Sequence, residues 1–154
     1  MTKIKILPKV FIVSPVNNLQ SNLHHFDHDI WLENKHVKFS RNNSCPMRIQ
    51  LAEAFFGTID SIIYDFKQEG FICAPSPYLL GLGIKYPLEL REFSSVASMD
   101  TVNLMIDKRR NGSVINIRPS LKSESLILDL CPVNKTLNGN GWIPVFVPDG
   151  LALS

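Results

Sequence analysis

Apolar residues recur along this chain with two different periods, and each change of period marks an element. Residues 8–14, PKVFIVS, form a β-branched and aromatic run that stops at Ser14-Pro15, where proline cannot donate to a ladder, so a first strand is expected there. From Val16 to Asn43 the chain is polar and rich in histidine, which predicts loop, with a weak strand around Lys35 to Phe39. Ser44 before Cys45-Pro46 suits a helix entrance, because a serine oxygen accepts an orphan backbone N–H and an early proline loses no hydrogen bond. Between Met47 and Glu69, the residues Ile49, Ala52, Phe55, Phe56, Ile59, Ile62, Ile63 and Phe66 recur at steps of three and four. That spacing predicts one long helix, capped by Gly70, with Gly57 inside it at a cost of about 1 kcal/mol relative to alanine.

Beyond Cys73 the prolines Pro75, Pro77 and Pro87 limit helical structure to short pieces around Tyr78 to Leu82 and Leu88 to Phe93. Val102 to Asp107 and Ser113 to Arg118 read as the strands of a hairpin turned at Asn111-Gly112, a dipeptide that readily takes the positive φ angles of a type I′ turn. Ser125 to Leu130 reads as a further strand. After a glycine-rich turn at Asn138 to Gly141, Trp142 to Val147 is a last strand that Pro144 assigns to a sheet edge. These elements predict an α/β (α+β) fold: a single domain over residues 1–154, with a mixed, mostly antiparallel sheet packed by one long helix and short helices.

Composition leaves that picture unchanged and narrows the function. With 45% hydrophobic and 19% charged residues among 154, the chain resembles an ordinary globular domain. A net charge of +2 is far from the basic excess that phosphate neutralisation demands, so no direct nucleic-acid binding is expected. No apolar run approaches a membrane span, and Pro8-Lys9 interrupts the apolar start, so a cytoplasmic protein with no membrane partner is expected. Cys45, Cys73 and Cys131 lie far apart and are expected as free thiols.

Candidate chemistry is sparse. His24 to Asp29, HHFDHD, holds the side-chain types that bind zinc, and a small metal-dependent hydrolase using His24, Asp27 and His28 is one reading. The segment lacks the H-E-x-x-H pattern, and no G-x-S-x-G elbow or phosphate-cradling glycine loop occurs elsewhere. No catalytic residue, cofactor or metal is assigned, and no small-molecule substrate is expected. Asp27, Asp29 and Glu33, with Trp31 among them, suit a protein-docking loop in which the aromatic anchors and the carboxylates steer a basic partner. Lys108, Arg109 and Arg110 form a cationic hairpin tip and complete the candidate partner-binding set.

The opening KIKILPKVFIVSP, the central helix, the segment YLLGLGIKYPLELREFSSVAS and the hairpin VNLMIDKRRNGSVINIRPS, taken in that order, resemble the contact-dependent growth inhibition immunity proteins. The likeness lies in the order of elements over most of residues 4–120, including the L-G-I-K helix leading into paired strands that end in proline. It implies a non-catalytic cytoplasmic protein that forms a heterodimer with the C-terminal toxin domain of a delivered effector, most often a nuclease, and blocks it. It also implies a closing L-G-x-A-L helix, which is expected to be short or absent after Asp149-Gly150.

Overall fold

In the computed structural model, which describes residues 4–34, 39, 45–54, 57–134 and 141–147, two short strands run antiparallel along β3 (Met47–Ala54). They are β1 (Lys5–Ile6) and β2 (Phe11–Val13), and both lie on the same side of β3, so they form one edge strand broken around Pro8. Leu7 spans the break, donating its N–H to the Leu51 carbonyl at 2.9 Å and accepting from Gln50 Nε2 at 3.2 Å. The remaining strands are β4 (Val96–Ala97), β5 (Met105–Ile106), β6 (Gly112–Pro119), β7 (Leu126–Pro132) and β8 (Gly141–Phe146). Together they form an eight-stranded sheet ordered β1/β2, β3, β8, β4, β6, with β5 beside β4 on one side of β6 and β7 on the other. Every pairing between named strands is antiparallel except β4 with β8. The expected mixed α/β domain with an antiparallel-dominated sheet is therefore present.

The expected long helix is not. Residues 47–54 are strand, and the helix α1 begins only at Ile59 and ends at Gln68. Ile49 and Leu51 alternate with Arg48 and Gln50, a period of two that the three-and-four spacing overlaps. Gly57 makes the break: its φ of +151° is open to glycine alone, and Thr58 then caps α1 by accepting from Ser61 N–H at 3.3 Å. Cys45-Pro46 accordingly leads into a strand rather than a helix.

A second ten-residue helix, α2 (Ser76–Lys85), lies across the other face of the sheet, followed by the short α3 (Pro87–Leu90). Prolines Pro77 and Pro87 sit in first turns, where the missing N–H is harmless, so they start these helices rather than shorten them. Asp100 caps α2 from a distance, its Oδ2 accepting the Ser76 N–H at 2.8 Å. On the α1 face, Ile59, Ile62 and Phe66 pack with Ala52, Val114, Ile143 and Val145. The α2 face joins Tyr78, Leu79 and Leu82 to Ile49, Leu51, Ile115, Ile117 and Leu128.

Pro144 does not mark an edge, because β8 lies between β3 and β4. The Pro144 carbonyl accepts from Ala74 N–H at 2.9 Å, on the side away from β3, so the absent N–H of the same residue removes nothing from the β3 ladder. The predicted hairpin exists as β5 and β6, but Gly112 already belongs to β6 and the positive φ, 64°, falls on Arg110. Residues 35–38 of the strand expected around Lys35 to Phe39, Ser44, the pair Phe55 and Phe56, the turn at Asn138 to Asn140 and the closing C-terminal element lie outside the described residues. No helix among the described residues is long and apolar enough to cross a membrane.

Candidate functional site

Among the described residues, β7 is the outer strand at one side of the sheet, and part of its edge is taken by the chain itself. Asp27 donates its N–H to the Leu126 carbonyl and accepts the Leu128 N–H, both at 2.9 Å, as one rung of a parallel ladder. The chain then leaves the edge, because the Asp29 carbonyl turns inward to accept the Leu32 N–H at 2.9 Å and a 3₁₀ helix follows at Ile30–Asn34. Backbone groups two residues apart on a strand point the same way, so the Leu130 N–H and carbonyl face outward like those of Leu128. Among the described residues they have no hydrogen-bond partner. Pro119 and Pro132 fit the same alternation, each opposite a strand neighbour with which it exchanges no hydrogen bond.

Asp107 builds the tip of the β5–β6 hairpin. Its Oδ1 accepts from the Arg109 and Asn111 N–H groups, both at 2.8 Å, and Oδ2 accepts from the Ser113 hydroxyl at 3.3 Å. The Asn111 N–H foremost, with the Arg109 N–H and the Ser113 hydroxyl outweighing some desolvation, holds the Asp107 carboxyl below its ordinary range. The tip reaches the 27–33 segment through Lys108, whose Nζ lies 2.7 Å from Asp29 Oδ2. That hydrogen bond, followed by the Trp31 N–H on Oδ1 at 3.0 Å, lowers the Asp29 carboxyl as well.

Of the residues singled out in the sequence, Asp29, Trp31, Lys108 and Arg109 are brought together around a concavity of about 260 Å³ whose floor includes Leu130 and Pro132. That volume falls below the roughly 300–1,000 Å³ usual for small-molecule sites. Trp31 is half-buried against the core, while its neighbour Ile30 is 74% exposed. Asp27 accepts from Ser123 Oγ at 3.1 Å, and Glu33 faces His28 Nε2 at 3.7 Å. Among the described residues, the guanidinium groups of Arg109 and Arg110 make no hydrogen bond or ion pair.

Apart from the approach of His28 to Glu33, the histidines do not gather with the carboxylates into one donor set among the described residues. His24 stacks on His25, with ring centroids 4.1 Å apart. His28 Nδ1 lies 2.8 Å from the Phe26 carbonyl, which only accepts, so the proton sits on that nitrogen. Among the described residues no group of three His, Cys, Asp or Glu side chains is placed to hold a metal. Ile30, Asp107 and the Leu130 backbone are the site components that sequence reasoning missed. The usable signals were an aspartate four residues before Asn111 and the prolines closing β6 and β7.

Comparison of the chain with protein-family models, curated proteins and solved structures finds no match.

Proposed function

We propose that this chain is an immunity protein: it binds the C-terminal toxin domain of a contact-dependent growth inhibition effector in the cytoplasm and neutralises it by occlusion, without catalysis of its own. The observation that carries this reading is the meeting of two segments remote in sequence, 27–33 and 107–110, on an open strand edge beside an exposed isoleucine. Such a surface combines an apolar anchor, unused hydrogen-bond donors and a concavity small for a substrate, all of which favour a protein partner. The order of elements along the sequence supplies the choice of toxin as that partner.

The test is co-expression with the C-terminal domain encoded immediately upstream. A stable complex, together with restored growth of cells that the domain alone arrests, is the expected outcome. Failure to form a complex together with failure to restore growth overturns the reading.

A further inference from the structure

We propose that the edge of β7 from Leu128 to Pro132 seats an extended, acidic segment of a protein partner, which pairs with the part of that edge beyond the rung taken by the chain's own Asp27. The inference rests on the docking function above and adds the chemistry of the docked segment.

Two observations carry it. Asp27 shows that this edge accepts a strand residue: it makes both backbone bonds of one ladder rung, at 2.9 Å each, before Asp29 turns the chain away. The next rung is vacant among the described residues, with an outward donor and acceptor on Leu130 at strand spacing. An extended peptide matches that donor-acceptor pair, whereas a phosphodiester backbone offers acceptors only.

The second observation is which polar groups remain unused around the edge. Asp29 is engaged by Lys108 at 2.7 Å, Asp107 by two backbone N–H groups at 2.8 Å, and Asp129 by Arg118 at 2.9 Å. Arg109 and Arg110 stay exposed with guanidinium donors unpaired among the described residues. Formal charges nearly offset around the site, so selectivity arises at short range, from donors that a carboxylate satisfies by charge-assisted hydrogen bonds. The partner's side chains at this point are therefore acidic, the reverse of what the carboxylates of residues 27–33 suggest when read from sequence.

The probes are capped peptides of alternating threonine with glutamate or with lysine, and a thymidine oligonucleotide, each titrated into the full-length protein while the Leu130 amide resonance is followed. The glutamate peptide is expected to shift and protect the Leu130 amide and to bind about tenfold more tightly than the lysine peptide. Reversing the tip with Arg109→Glu and Arg110→Glu together inverts the preference. Equal binding of the two peptides, an unmoved Leu130 amide, or displacement of the glutamate peptide by the oligonucleotide overturns the proposal. A complex with the upstream domain that leaves the Leu130 amide unprotected also overturns it while neutralisation stands. Selective glutamate-peptide binding without any such complex keeps the edge and removes the immunity reading.

Discussion

A Cβ on Gly81 would stand 2.1 Å from the Ser14 carbonyl oxygen and 2.9 Å from Val13 Cγ1, so α2 crosses β2 at a distance only glycine permits. Because the obstacle is backbone, Gly81→Ala must lift the helix off the sheet, at an expected cost of about 1–3 kcal/mol. The measurement is a lower urea midpoint with an unchanged slope. Gly70 provides the contrast, since its φ is +84° and nothing lies within 4 Å of the added atom. Gly70→Ala is expected to cost only the left-handed backbone strain, roughly 1 kcal/mol. Cysteine reactivity separates in the same residue-by-residue way. Burial pushes the Cys73 thiol up to about 12, whereas Cys45 is exposed. A maleimide in mildly alkaline buffer is expected to label Cys45 in the folded protein and Cys73 only after denaturation, read by peptide mass. Rapid labelling of Cys73 in the native state would contradict the packing of the 71–75 segment against β8.

At the scale of elements, the hairpin tip depends on an ionised Asp107. Its carboxyl titrates below the 3.8 of a free aspartate, so its stabilising contribution is complete above that value and is lost as pH falls through the lower folded one. Amide protection at Arg109 and Asn111 is expected to fall over that acid range, and to be lost already at neutral pH in Asp107→Ala. Unchanged protection in that variant would mean the turn is held by its backbone alone. Strands β6, β7 and β8 were legible because β-branched runs between turn residues leave few alternatives, whereas the strand expected over Val102 to Asp107 forms only at Met105–Ile106. The 47–69 region was not, because Ile49, Ala52, Ile59, Ile62 and Phe66 satisfy helical spacing across a break that only the backbone angle of Gly57 reveals. The site was half legible for a related reason. Side chains such as Asp29 and Lys108 announce themselves in a sequence, but the outward Leu130 N–H has no letter of its own, and Asp27 closing one rung of the edge is a product of the fold. Pro144 misled in the opposite direction: proline bars only one side of a strand, and here that side faces the 72–74 segment.

For the molecule as a whole, the last described strand is the one that joins its two halves. β8 pairs with β3 from Ile49 to Ala54 and touches β4 at Val96↔Trp142, so without it the β1–β3 ladder and the β4–β7 ladder share no strand. It also serves both layers: Ile143 and Val145 lie under α1, whereas Trp142 packs on Phe93 and Phe146 on Tyr78 on the α2 side. Contacts so distant in sequence form late and slowly, because loop closure comes before any of them. A chain ending at residue 140 is therefore expected to lose cooperative unfolding, measured as a broadened urea transition with collapse of the near-ultraviolet aromatic signal. The candidate docking edge sits on the β4–β7 half and is built from residues 27–33 and 107–132, none of which touches β8 directly in a ladder. If the truncated chain kept a sharp transition and still protected the Leu130 amide with the glutamate peptide, that half would be an independent binding unit. If both are lost together, the partner surface exists only after β8 has closed the sheet, and recognition is tied to complete folding of the chain.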